Sequence, residues 1–161
     1  MTGWRTHQGL ATALDIENVD TDQLIPARFM STPRADGYGQ FLLHDMRQNA
    51  AGAADADFAL NRHPDASVLV AQRNFGSGSS REAAVYALVD FGFRAVIAPS
   101  FGDSFASNAV NNGLLPAQVS AQDAQALSDR IGADTATLHI DIEARTITAG
   151  NTVVSFSLSD A

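Results

Sequence analysis

The sequence predicts an α/β fold with a mainly parallel central sheet, flanking helices and antiparallel strands near the C-terminus. The centre of the chain alternates apolar runs with helical patterns in the order β-α-β-α-β-α, which is typical of parallel strands joined by right-handed crossovers. From residue 136 to residue 158 apolar and polar residues alternate instead, which is typical of antiparallel strands. With 161 residues, the chain is expected to form one domain over 1–161.

Composition excludes several classes of function. The formal charge of −8 argues against a nucleic-acid binder, since such proteins meet phosphates with cationic side chains. All ten basic residues are arginines, so lysine Schiff-base chemistry and a Walker lysine are excluded. Without cysteine, the chain has neither a disulfide nor a cysteine-ligated iron–sulfur cluster of its own.

The sequence also predicts a cytoplasmic protein that has no membrane segment. No apolar run approaches the roughly 20 residues that a membrane helix needs. The first residues lack the apolar core of a secretory signal. The four histidines are far apart and lack zinc-ligand spacing, so no metal site is predicted on this chain.

The N-terminal part begins with a predicted strand over 10–14. In the segment 18–26, Asp20, Thr21 and Asp22 can cap a short helical turn that ends at Pro26. From these residues alone, we favour a capped turn with solvated aspartates over a functional role.

Less regular structure is expected after Pro26. Residues 27–40 are rich in turn formers and predict a mobile loop. A short helix is expected around Phe41, Leu42 and Met46, and a surface connection over 49–57.

The centre contains three predicted strands, each followed by a predicted helix. These pairs are 67–71 with 79–91, 94–98 with a helical stripe from Phe101 to Val110, and 114–119 with a helix from a Ser120 cap to about Ile131. In the C-terminal part, Gly150 and Asn151 predict the last turn between antiparallel strands.

The chain is organised around the glycine-rich turn 74–82, Asn-Phe-Gly-Ser-Gly-Ser-Ser-Arg-Glu. Ser79 and Glu82 fit a capping box at the start of the predicted helix. Free N–H groups at a helix start favour an anion, and Arg81 in a first turn would oppose the helix dipole unless an anion lay nearby. The turn fits both plain helix capping and an anion-binding site, and of these two interpretations we favour a site for a carboxylate or phosphate.

Other phosphate motifs fit this turn poorly. The third glycine of a dinucleotide fingerprint is replaced by Arg81.

An arginine fork can make two parallel hydrogen bonds to a carboxylate. A serine such as Ser79 is a poor base unless a neighbour activates it, for instance through N–H groups that stabilise an alkoxide.

Three stretches together resemble the family of 3-isopropylmalate dehydratase small subunits, which corresponds to the swivelling domain of aconitase. They are Asn-Val-Asp-Thr-Asp-Gln-Leu-Ile-Pro at 18–26, the turn 74–82, and 94–101 with the Asn-Asn-Gly-Leu-Leu-Pro block at 111–116. The likeness runs from about Leu10 to the C-terminus. It implies a single swivelling β/β/α domain.

The resemblance implies a hydro-lyase that is active only with a large subunit. That partner would hold a [4Fe–4S] cluster on its own cysteines, with the open iron as a Lewis acid. The reaction would dehydrate 2-isopropylmalate, a small dicarboxylate, and rehydrate the alkene to 3-isopropylmalate in leucine biosynthesis.

The resemblance also implies roles for residues of this chain. Ser79 would take the carbon-bound proton, Arg81 would take part in catalysis, and the loop from Ala27 to Arg34 would influence substrate choice. The implied substrate-binding residues are Gly78, Ser80, Arg81, Asp22, Arg28 and Arg34.

Three departures from the family pattern leave alternatives open. Ser77 stands where the family usually has cysteine, and Ala83 where it usually has histidine. The chain also ends at Ala161, where bacterial members usually continue with a helical tail, so a truncated chain or a side branch with another substrate is expected. The alternatives are a related hydratase of another 2-hydroxy diacid, or a non-catalytic module that binds an organic anion.

Overall fold

The computed structural model describes residues 3–158, and the predictions on Met1, Thr2 and the end at Ala161 lie outside this range. Eight strands and five helices follow one another in this range: β1 Thr6–Ala13, α1 Thr21–Leu24, α2 Ala59–Arg62, β2 Val68–Val70, α3 Ala83–Phe91, β3 Ala95–Ala98, α4 Asp103–Asn111, β4 Leu115–Gln118, α5 Ala121–Ile131, β5 Ala136–Asp141, β6 Thr146–Ala149, β7 Thr152–Ser155 and β8 Ser157–Leu158. Three short 3₁₀ turns, Ala27–Phe29, Arg34–Asp36 and Gly39–Phe41, separate α1 from α2. None of the described helices is long and apolar enough to cross a membrane.

All eight strands join one mixed sheet in the order β7-β6-β5-β1-β2-β3-β4-β8. The four central strands β1 to β4 are parallel, which confirms the prediction for β2, β3 and β4 and adds β1 to them. The predicted antiparallel strands near the C-terminus are β5, β6, β7 and β8, which all pair antiparallel, so the sheet as a whole is mixed rather than mainly parallel. The C-terminal strands extend the central sheet because β5 pairs along β1 from Thr6 opposite Asp141 to Ala11 opposite Ala136.

The sheet curls strongly. Its two edge strands, β7 and β8, lie at opposite ends of the strand order. Only Phe156 separates them in sequence, and its side chain is buried. A single residue cannot bridge the width of a flat eight-stranded sheet, in which strands are about 4.8 Å apart. The two edges must therefore approach each other, as in a nearly closed barrel.

The central strands are buried on both faces. Leu69 and Val96 pack into a core with α1, α3 and α4. Their neighbours Val68, Val70 and Ile97 pack into a second core with α5 and the C-terminal strands. Successive side chains of a strand point to opposite faces, so uninterrupted apolar runs are what a doubly covered sheet requires.

Two predicted helix starts are confirmed. Asp20 caps α1 in a capping box, accepting from the Gln23 N–H at 2.8 Å while the Gln23 side chain accepts from the Asp20 N–H. Ser120 caps α5 by accepting from the Asp123 N–H at 3.0 Å. Both caps use partners three residues away, so a local pattern is sufficient to find them.

Two predicted helices need correction. The helix predicted over 79–91 begins only at Ala83. The helix predicted around Phe41 to Met46 is a series of turns. Leu43 there has a φ of 50°, which interrupts a right-handed helix.

The segment 27–40, predicted to be a mobile loop, contains the three 3₁₀ turns and is anchored to the rest of the fold. The Tyr38 N–H donates to Asp90 of α3 at 2.9 Å, and the Tyr38 hydroxyl donates to the Thr32 carbonyl at 2.6 Å. Tyr38 is buried in the core beside α3. The composition of the loop did not reveal this aromatic anchor.

Candidate functional site

Three loops meet at the carboxyl ends of the parallel strands β1, β2 and β3. The Asn18 N–H of the first loop donates to the Arg73 carbonyl of the second at 3.0 Å. The Phe75 N–H of the second loop donates to the Ser100 carbonyl of the third at 3.0 Å. In α/β sheets this edge is where ligands usually bind, and it places the glycine-rich turn between its two neighbours.

Gly76 allows the turn to pass close to α4. Its φ is 76°, and a Cβ at this position would overlap the ring of Phe105. The carbonyl of Gly76 in turn lies where a Cβ on Gly102 would be. Only glycine meets both the conformational and the steric requirement at residue 76.

The second half of the turn lies against the start of α1. Gly78 has a φ of 93°, and a Cβ there would lie 3.5 Å from both Asp20 and Thr21 side-chain atoms. The Thr21 N–H donates to the Ser77 carbonyl at 2.9 Å, and Asp20 forms an isolated parallel bridge with Ser77. The Asp-Thr-Asp block and the glycine-rich turn therefore form one structural unit.

Ser79 is exposed at the surface of this unit and is paired with a buried threonine. The Thr21 hydroxyl donates to the Ser79 carbonyl at 2.9 Å, and the two hydroxyl oxygens lie 3.3 Å apart. Ser80 is exposed beside it. Two exposed serines are thus adjacent at the surface of this unit.

The predicted capping box of Ser79 and Glu82 is wrong. Glu82 is itself the N-cap residue of α3, and no side-chain cap bond is made there. The Glu82 carboxylate instead accepts from the Asn112 side chain at 3.0 Å, which ties α3 to the end of α4. Ser79 lies outside the helix because the turn packs on α1, which local sequence patterns do not reveal.

Arg81 also lies before α3, so the argument from an opposing helix dipole in the first turn does not apply as predicted. One of its terminal nitrogens, Nη2, lies 2.6 Å from Asp22 Oδ1, and Nη1 donates to the Ile25 carbonyl at 3.2 Å. The Arg81 side chain is 19% exposed, whereas that of Asp22 is 69% exposed. The guanidinium is therefore held by α1 with an edge near the surface.

The other predicted arginines are paired elsewhere in this structure. Arg28 forms an exposed ion pair with Asp45, and the hydrogen bond from Arg28 lowers the pKa of the Asp45 carboxyl. Arg34 donates to both carboxylate oxygens of Asp90, at 3.1 and 3.0 Å. Neither arginine has a side-chain contact with the Ser79–Arg81 group among the described hydrogen bonds and ion pairs.

Of the predicted site residues, the fold gathers Asp22, Gly78, Ser79, Ser80 and Arg81 into one group. Their catalytic and binding roles stay predictions. The sequence reasoning treated Thr21 only as a capping residue and missed its contact with Ser79. The one signal that could have found it is its position between two aspartates in a block that the family resemblance already marked.

The described residues form no gathered metal site. No three histidine, aspartate or glutamate side chains between residues 3 and 158 lie together in a way that could hold an ion. The chemistry available to the exposed group is instead that of an arginine fork beside two hydroxyls and one carboxylate. Such a group can bind a carboxylate and place a hydroxyl oxygen next to it.

Comparison with known proteins gives consistent results. The Aconitase C-terminal domain family model matches residues 1–122. A 3-isopropylmalate dehydratase small subunit of Shewanella sp. strain ANA-3 is 49% identical over 138 residues, covering 83% of this chain and 69% of the relative. The protein of that name from Shewanella baltica strain OS185 is 44% identical over 167 aligned positions, covering all of this chain and 83% of the relative.

A solved structure is also similar. The crystal structure of 3-isopropylmalate dehydratase (leuD) from Methanocaldococcus jannaschii matches with a TM-score of 0.71 at 31% sequence identity. The match covers 97% of this chain and 84% of that one.

Proposed function

Because the chain belongs to the Aconitase C-terminal domain family, we propose that it is the small, swivelling subunit of a 3-isopropylmalate dehydratase. This hydro-lyase would isomerise 2-isopropylmalate to 3-isopropylmalate in leucine biosynthesis. Relatives at 44–49% identity bear that name. The observation that carries the proposal is the exposed Ser79–Arg81 group, held on α1 by Thr21 and Asp22.

Arg81 is proposed to bind a carboxylate of the substrate. Two of its five N–H groups are directed to Asp22 and to the Ile25 carbonyl. The remaining N–H groups can meet a carboxylate from the exposed side, and Asp22 keeps the guanidinium in place. Ser80 and the backbone of Gly78 would complete the carboxylate contact.

Ser79 is proposed to be the base that removes the carbon-bound proton. In dehydration the C–H bond breaks and its proton passes to the deprotonated Ser79 oxygen, while the C–O bond on the adjacent carbon breaks and the hydroxyl leaves as hydroxide. Rehydration returns the Ser79 proton to the carbon that lost the hydroxyl and adds hydroxide to the carbon that lost the proton, so that one water is removed and one is added back. A serine oxygen can act in this way only if its deprotonated form is stabilised, so its neighbours decide whether the assignment is feasible.

The chain is proposed to act only with a large subunit. A cysteine-ligated cluster would find no thiolate here, since the sequence has no cysteine, and no gathered set of other ligands exists among residues 3–158. A [4Fe–4S] cluster would therefore be held by the partner, and when bound there it would supply a Lewis acid for the substrate hydroxyl. This chain would bind and orient the diacid and move its proton.

The loop from Ala27 to Arg34 is proposed to influence which diacid is accepted. It follows α1 directly, and Arg81 donates to the carbonyl of Ile25 just before it. Arg28 and Arg34 would reach the substrate only by exchanging their present carboxylate partners, Asp45 and Asp90. Such an exchange would accompany closure of the swivelling subunit over its partner.

The test is turnover of the complex formed with the large subunit of the same organism. Arg81→Ala should lower kcat/KM for 2-isopropylmalate about 30- to 150-fold, because a charge-assisted contact worth roughly 2–3 kcal/mol is lost. Arg5→Ala, an exposed arginine just before β1, is the matched control and should leave turnover unchanged. Full turnover of the Arg81→Ala complex, or activity of the wild-type small subunit alone, would refute the proposal.

A further inference from the structure

Thr21 is a buried hydroxyl residue in direct contact with the proposed base. The residue is only 2% exposed and occupies the first position of α1. We infer that Thr21 is a positioning residue that orients the Ser79 hydroxyl and stabilises its deprotonated form. This inference rests on the proposed function and deepens it, because it names the group that would activate Ser79.

The single hydrogen of the Thr21 hydroxyl determines which residue can donate in the contact between the Thr21 and Ser79 hydroxyls. A threonine hydroxyl has one hydrogen, and Thr21 donates it to the Ser79 carbonyl at 2.9 Å. Toward the Ser79 hydroxyl, 3.3 Å away, Thr21 can then only accept. A hydrogen bond between the two hydroxyls is thus donated by Ser79, which leaves the lone pairs of the exposed Ser79 oxygen for the side where substrate would arrive.

Thr21 can also donate a hydrogen bond to the deprotonated form of Ser79. Both Ser79 oxygens lie within 3.3 Å of Thr21 Oγ1. Rotation about the Cβ–Oγ1 bond therefore redirects the Thr21 hydroxyl hydrogen, so that its hydrogen bond goes to the Ser79 alkoxide instead of the Ser79 carbonyl. The present separation of 3.3 Å is long for an O–H···O bond. A bond to a charged acceptor is shorter and about twice as strong, so the contact is expected to tighten when exposed Ser79 loses its proton to solvent water.

Thr21 itself is held firmly. Its N–H donates to the Ser77 carbonyl at 2.9 Å, and its own carbonyl accepts from the Ile25 N–H at 3.0 Å. Asp20 fixes the helix start through its capping box, and a β-branched side chain has few allowed χ1 values. The hydroxyl is therefore fixed relative to Ser79, which is what orientation of a base requires.

The experiment compares variants in the complex with the large subunit. Thr21→Val keeps the shape and removes the hydroxyl, and should lower kcat about 10- to 100-fold while KM changes less than about twofold. Thr21→Ser restores the hydroxyl and should recover most of the activity. Thr12→Val removes a hydroxyl that is equally buried, in β1, and should leave kcat unchanged.

A pH profile separates orientation from a merely structural effect. If Thr21 stabilises the charged form of Ser79, its loss should move the acidic limb of the kcat profile to higher pH, whereas loosened packing would lower kcat equally at all pH values. Unfolding curves of each variant check that it is folded.

The outcomes distinguish the inference from the proposed function. An active wild-type complex whose Thr21→Val form keeps full kcat, or loses it without a pH shift, overturns the inference alone. If Ser79→Ala in the same series retains activity, the assignment of Ser79 as base is overturned, and the inference with it. An inactive wild-type complex overturns the proposed function together with the inference.

Discussion

The Asp22 carboxylate and the Arg81 guanidinium lie 2.6 Å apart, joining the first turn of α1 to the glycine-rich turn. The pair is asymmetric, since Asp22 is largely exposed and Arg81 is largely enclosed. An exposed ion pair contributes little to stability, about 0–1 kcal/mol. Its importance is therefore expected to lie in holding the arginine in place rather than in folding.

Asp22→Asn should lower kcat/KM of the complex about tenfold while leaving the free energy of unfolding within about 0.5 kcal/mol. A neutral amide cannot hold the guanidinium by charge, so the fork loses orientation toward the incoming carboxylate. Steady-state kinetics and urea unfolding measure the two quantities. Asp134→Asn, at an exposed carboxylate after α5, is the control. Unchanged kinetics of Asp22→Asn would show that Asp22 does not position Arg81.

Gly76→Ala should destabilise the chain by about 2–4 kcal/mol. The added methyl group would overlap the Phe105 ring, and the alanine backbone would have to keep a φ of 76°. Gly52→Ala separates the two causes, because its φ is 81° but no atom lies within 4 Å of the added methyl. The free energy of unfolding of this control should fall by only about 1 kcal/mol, because only the backbone strain contributes. Equal costs for the two variants, measured by urea unfolding, would contradict the predicted overlap.

The Arg34–Asp90 pair should make stability depend on pH in the acid range. The hydrogen bond from Arg34 lowers the pKa of Asp90 from its ordinary value of 3.8, with a further contribution from the Tyr38 N–H, while burial opposes the shift. A carboxyl whose pKa is lowered on folding stabilises the fold above its unfolded pKa and loses that contribution as pH falls through its folded pKa. Because the pair is partly exposed, the contribution is expected to be only about 0.5 kcal/mol.

The measurement is the difference in unfolding free energy between wild type and Asp90→Asn from pH 7 to pH 2.5. This difference should be constant above about pH 5 and should shrink toward acid. A difference that stays constant down to pH 2.5 would contradict the role assigned to the pair.

The sequence by itself determined the local structure whose partners are near in the chain. The caps at Asp20 and Ser120 involve residues three positions on, and the apolar runs of β2 and β3 are each a few residues long. The motif blocks likewise identified the family, since they are read directly from residue order. Such features depend on interactions within one or two turns or on composition.

Only the tertiary structure decided the relationships between distant segments. Ser79 was predicted to be a helix cap, but Thr21, 58 residues away, binds its carbonyl. The start of α3 at Ala83 and the mixed character of the sheet depend in the same way on which strands lie side by side. The physical reason is that a local pattern gives each segment its preferred conformation, whereas strand order decides which loops meet and which side chains can then form bonds.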